Sequence, residues 1–113
     1  MIGGLSVGSA GCIAAFANVF PRTLSKIFAL WKEGKTAEAL ALHQKASLAE
    51  EPCKAGIAST KYAASCFSAK RAGIAGAEEK MRPRRPYEPA AAGVQAKIRE
   101  IMAEMAEIEA SLY

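Results

Sequence analysis

Residues 1–20 carry no charged side chain, and this stretch constrains the fold more than any other. From Gly8 the order is a glycine-punctuated approach (Gly8-Ser9-Ala10-Gly11), an uncharged run from Cys12 to Ala17, Asn18, and then Pro21 opening a helical pattern. That order predicts strand, loop, helix. An uncharged strand is buried on both faces, as parallel strands are, yet the remaining sequence offers no convincing second strand. A lone buried strand leaves its own N–H and C=O groups without partners. The missing strands are therefore expected upstream of residue 1. A secretory signal or membrane anchor fits less well, because Gly3, Gly4, Gly8 and Gly11, with Ser6 and Ser9 between them, interrupt any apolar helix.

Beyond Pro21 the chain reads as helices. Pro suits the first helical position. Leu24, Ile27, Phe28 and Trp31 follow at i, i+3, i+4, i+7, an apolar stripe that ends at Gly34, which suits a left-handed cap. Thr36 is placed to cap a second helix running to about Ala49, with Ala39, Leu40, Leu42, Ala46 and Leu48 along it, and Pro52 stops it. A shorter helix is expected over 57–67, with Tyr62, Cys66 and Phe67 as burial candidates. Residues 68–89 hold Gly73, Gly76, Pro83, Pro86 and Pro89 beside Lys80, Arg82, Arg84 and Arg85, and read as a basic loop or linker. In the last helix Val94, Ile98, Ile101, Met105, Ile108 and Leu112 form a heptad seam. Glu100, Glu104, Glu107 and Glu109 are expected on its other faces.

Composition removes several chemistries. All eleven acids are glutamates, so a Ser-His-Asp triad or an Asp-ligated magnesium is unavailable within the chain. Cys12, Cys53 and Cys66 are odd in number and form no C-x-x-C, which points to reduced thiols in the cytoplasm and to no metal site. His43 stands alone on an Ala-rich helix without a paired carboxylate. The basic cluster from Lys80 to Arg85 is spaced by prolines, lacks interleaved aromatics and precedes an acidic helix. No nucleic-acid partner and no membrane partner is expected from it. Ser9 reads as a loop residue.

The pattern Gly8, Gly11, Ile13, Asn18, Pro21, followed by Trp31-Lys32-Glu33-Gly34-Lys35-Thr36-Ala37-Glu38-Ala39, resembles the last part of the dihydrodipicolinate synthase/N-acetylneuraminate lyase family. Gly56-Ile57-Ala58-Ser59-Thr60-Lys61 is similar to the family's short helix after its Pro-rich turn. Arg84-Arg85-Pro86-Tyr87 resembles the step before the final helix in the 4-hydroxy-2-oxoglutarate and 2-keto-3-deoxy sugar acid aldolase branch.

The resemblance implies an α/β fold class, with this chain a C-terminal fragment of a (β/α)8 barrel plus a mostly α-helical extension. A complete barrel needs roughly 250 residues, more than this chain has. Residues 1–34 would supply the last strand and helix, and residues 35–113 the extension, with its linker at 68–89. The implied activity is that of a pyruvate-linked class I aldolase, in which a lysine forms a Schiff base with a 2-oxo acid and no cofactor is used. In the family that lysine, the catalytic tyrosine and the carboxylate-binding loop lie upstream of the matched region. No catalytic residue is therefore assigned here, and the chain alone is expected to be inactive.

Asn18 is the one substrate-binding candidate, at the mouth of the last barrel strand, where barrel enzymes place their chemistry. The alternative role for Asn18 is to bond loop backbone or to cap the helix at Pro21. The intact enzyme would be a homo-oligomer with a pyruvate-class substrate. A reading of another class is a small helical interaction module acting through the Val94–Leu112 face.

Overall fold

The computed structural model describes residues 1–113, and every regular element in it is helical. A one-turn helix α1 (Ile2–Ser6) leads to a 3-10 turn (Ala15–Asn18), then α2 (Pro21–Lys32) and α3 (Thr36–Ala49). A second 3-10 turn (Glu51–Ala55) precedes α4 (Ile57–Ala64), which continues into a π-helical turn (Ser65–Ala69). The short α5 (Ala77–Lys80) and the long α6 (Ala92–Ser111) complete the chain.

Local sequence explains most boundaries. Pro21 stands in the first turn of α2, where its missing N–H costs nothing. Gly34, at φ 75°, takes the left-handed conformation that turns α2 into α3. Gly56, at φ 117°, makes the break from which α4 starts. Thr36 differs from expectation: it is the first residue of α3, whose cap position belongs to Lys35.

The expected strand does not form. Residues 10–13 make no backbone–backbone hydrogen bond, and Ala14 is extended at φ −139°, ψ 139°. A strand exists only when a neighbour supplies the other half of its ladder, and this chain holds no neighbour. Ile13 is consequently fully exposed, at 108%.

The core lies where α2, α3, α4 and α6 meet, and Phe16, Phe20, Ile27, Ile98 and Met102 are each at most 2% exposed within it. Phe20 stacks at a tilt between Phe16 (5.3 Å) and Phe67 (5.1 Å), tying the first 3-10 turn to the end of α4. Alanines at 39, 46, 49, 63 and 64 fill much of the rest, so α3 and α4 approach their neighbours closely but bury little area each.

Two further expectations are corrected. On α6 the buried stripe is Ile98, Met102, Met105 and Glu109, while Val94 is 43% exposed and Ile101 and Ile108 are half-buried. The seam read from the sequence shares only Ile98 and Met105 with it. The stretch 68–89 is also less of a loop than expected, because its first residues finish the π turn and Ala77–Lys80 are helical.

Candidate functional site

The segment that joins the unpaired residues 10–13 to α2 is braced from several sides. Phe16, Val19 and Phe20 anchor it in the core at 2%, 1% and 1% exposure, leaving Asn18 facing solvent. The Asn18 side-chain amide donates to the Ala15 carbonyl (3.1 Å), closing its own turn. The Asn18 carbonyl accepts from the Ser68 hydroxyl (2.5 Å) on the π turn. Asn18 thus makes the local backbone bond weighed against a substrate contact, and both of its observed bonds orient the turn.

Just beyond, α2 begins with no acidic residue in its first turn and no side-chain cap of its own. Its free N–H groups are satisfied from α6. Glu109, 2% exposed, accepts from the backbone N–H of Arg22 (3.0 Å) and of Thr23 (2.7 Å) and from the Thr23 hydroxyl (2.7 Å). A carboxylate at a helix N-terminus meets both unpaired donors and the positive end of the helix dipole. Arg22 completes the clasp: its guanidinium donates to the Leu112 carbonyl (3.0 Å) and lies 3.9 Å over the Tyr113 ring. Arg71 approaches the same ring at 4.8 Å. Sequence reasoning placed Glu109 on a solvent face. The one signal that could have pointed to it is the absence of any acid or cap at Pro21-Arg22-Thr23, which leaves the first N–H groups of α2 open to an acceptor from elsewhere.

The other titratable groups lie apart from this turn. His43 is half-buried with Nε2 3.1 Å from the Met1 amine. Burial and then that positive amine lower its pKa below 6.5, against the opposing pull of Glu50. Tyr62 is 8% exposed and its hydroxyl bonds the Arg99 guanidinium. Burial, followed by the Cys66 thiol beside it, raises the phenol's pKa despite Arg99. Cys53 is buried beneath α4, and burial pushes its thiol up. A cleft of about 410 Å³ borders the turn itself, along Ala10, Cys12, Ala17, Pro21 and Leu24. Others lie apart from it, one of about 580 Å³ beside Cys66, Lys70, Ile74 and Arg99 and one of about 360 Å³ lined by Tyr62, Glu79, Arg82 and Gln95.

No lysine in the chain has the surroundings a Schiff base needs. That chemistry requires a desolvated amine held near neutrality. Lys61 is half-buried and the other eight lysines are exposed. Lys35, Lys45 and Lys54 pair with Glu33, Glu104 and Glu51 at 2.9, 2.8 and 3.2 Å. For Lys35 the bond to Glu33 raises the pKa, the wrong direction for a nucleophile.

A family model described as the dihydrodipicolinate synthetase family matches residues 1–105. The chain belongs to this family. It is 65% identical over 112 residues to a Coccidioides immitis (strain RS) protein named "Putative 4-hydroxy-2-oxoglutarate aldolase, mitochondrial", covering 99% of this chain and 36% of that one. It is 28% identical over 100 residues to the 4-hydroxy-tetrahydrodipicolinate synthase of Gluconacetobacter diazotrophicus, covering 87% of this chain and 31% of that enzyme. A crystal structure of a dihydrodipicolinate synthase family protein from Coccidioides immitis superposes with a TM-score of 0.95 at 64% identity, over 99% of this chain and 36% of that one. The chain thus spans about a third of the length of the family members it matches. The helices and turns described above match those of that crystal structure. No helix is long and apolar enough to cross a membrane.

Proposed function

We propose that this chain is the C-terminal segment of a class I, Schiff-base aldolase of the dihydrodipicolinate synthetase family, acting on pyruvate or another 2-oxo acid. In the complete enzyme, the uncharged run that begins near Cys12 forms the last strand of the barrel and α2 its last helix. The remaining helices form the extension, and Asn18 stands at the mouth of the strand. The observation that carries this reading is the 65% identity over 99% of the chain to a protein named as a 4-hydroxy-2-oxoglutarate aldolase. The unpaired residues 10–13 and the fully exposed Ile13 agree with it, since both lack what a neighbouring strand supplies. The nucleophilic lysine belongs to the part of the enzyme outside this chain, a reading supported by eight of the nine lysines here being exposed and the ninth, Lys61, only half-buried. The homo-oligomer expected for the intact enzyme remains part of the proposal. So does a reducing compartment, given three unpaired thiols; the name of the Coccidioides relative places that protein in the mitochondrion.

The alternative, a helical module that binds through Val94–Leu112, is less favoured because Ile98 and Met105 of that face are spent on the chain's own core, leaving Val94 exposed and Ile101, Ile108 and Leu112 half-buried. The deciding experiment is borohydride trapping with pyruvate. The chain alone is expected to take up no label. Co-expression with the remaining two thirds of the Coccidioides relative is expected to give a trapped adduct on a lysine of that larger piece. An adduct on the isolated chain, or none in the pair when the full-length relative is labelled, overturns the reading.

A further inference from the structure

The start of α2, which follows the Asn18 turn directly, is hydrogen-bonded to the end of α6 across 86–87 residues of sequence. Glu109 fixes the N–H groups of Arg22 and Thr23. Phe20 and Pro21 are the only residues between those donors and the buried Val19 that ends the turn. Ser68 holds the same turn from its other side through the Asn18 carbonyl. Helix α2 has no internal group to replace Glu109, so the direction of its first turn depends on that carboxylate.

We propose that Glu109 is a positioning residue for the Asn18 turn: the C-terminal helix sets where the chain leaves the extended segment and enters α2. A carboxylate suits the task because three donors converge on it, two on one oxygen and one on the other. A carboxamide of the same shape offers one acceptor oxygen and, whichever way it is turned, sets its own N–H groups against one of the two backbone N–H donors. The consequence for substrate rests on the proposed placement of Asn18 at the mouth of the last strand; the positioning itself does not.

The test separates the two. Amide hydrogen exchange is measured on the chain and on Glu109→Gln, with Glu104→Gln, at an exposed ion pair, as control. Exchange at Arg22 and Thr23 is expected to quicken about tenfold or more, and exchange at Phe16–Phe20 with it, while Ala39 and Ala46 in α3 stay unchanged. Acceleration confined to Arg22 and Thr23 overturns the proposal. So does uniform acceleration that includes α3, which would assign Glu109 to overall stability alone. If Glu109→Gln does not fold, Thr23→Val removes the hydroxyl's bonds to Glu109 and Met105 while leaving both backbone N–H bonds in place. Quicker exchange at Phe16–Phe20 with α3 unchanged is then expected, and unchanged exchange at Phe16–Phe20 overturns the proposal.

In the complemented enzyme Glu109→Gln is then expected to raise KM for pyruvate several-fold while kcat stays within about twofold. Coupled exchange with an unchanged KM sustains the positioning role and overturns the placement of Asn18. Absence of activity from the complemented wild-type pair bears on the proposed function only, and the exchange result still decides the present one.

Discussion

His43 and Glu109 occupy opposite ends of what a sequence makes visible in a single residue. His43, alone on an Ala-rich helix without a paired carboxylate, is half-buried. Its protonated form is disfavoured first by burial and then by the Met1 amine, with Glu50 opposing. The folded pKa is therefore below the ordinary 6.5 of the unfolded chain. Folding holds fewer protons than unfolding in that window, so the stability from a neutral His43 is complete above pH 6.5 and falls as pH drops toward the folded value. An NMR titration of the imidazole is expected to show a midpoint below 6.5, and His43→Gln to flatten the fall in Tm between pH 7 and the onset of carboxylate titration. A midpoint at or above 6.5 contradicts the burial argument. Glu109 was illegible because residue type argues for solvent: glutamate is almost never fully buried unless paired. Its partners lie 86 and 87 residues away, and nothing in their spacing announces the meeting.

Among the elements, α2 was readable from both ends and along its length, since Pro21, the stripe from Leu24 to Trp31 and Gly34 all state the same helix. Consistency between local signals and packing is what makes an element legible. The helix at α6 was equally clear, but its buried face was not. A 4-3-4-3-4 seam of apolar residues runs from Val94 to Leu112, and the core takes Ile98, Met102, Met105 and Glu109 instead. The sequence pattern gave no weight to a glutamate, so the face that includes Glu109 scored below the seam beside it. The two faces differ in what truncation costs. Met102, 0% exposed, is expected to lose about 2–5 kcal/mol on substitution by alanine. Val94, 43% exposed, is expected to lose no more than about 0.5 kcal/mol. Chemical denaturation of both variants checks the assignment; a larger loss at Val94 would restore the heptad face. The strand expected near residues 11–15 was misjudged in isolation for a different reason. Strands are completed by other strands, and an uncharged run cannot supply its own neighbours.

At the scale of the whole molecule, surface area carries the argument. A free-standing protein of 11.9 kDa exposes roughly 5,950 Å² by the scaling of folded monomers. This chain exposes 6937 Å², about 1,000 Å² more, with a radius of gyration of 14.6 Å against roughly 13 Å for a compact domain of its length. The excess is comparable to the roughly 800 Å² that one partner contributes to a stable protein interface. Part of it belongs to Ile13, at 108% exposure on the segment that carries no ladder, and to Val7, at 84% just after α1. If the proposed function holds, the remaining two thirds of the enzyme covers this surface, and binding to the folded form adds stability by mass action. The Tm of the chain is then expected to rise with the concentration of the complementary piece. Amides of residues 10–13, which have no backbone partner in the chain alone, are expected to gain protection at the same time. Protection of that segment distinguishes strand completion from association elsewhere: a higher Tm with 10–13 still exchanging freely would mean that the larger piece had docked on the helical extension, leaving the barrel open.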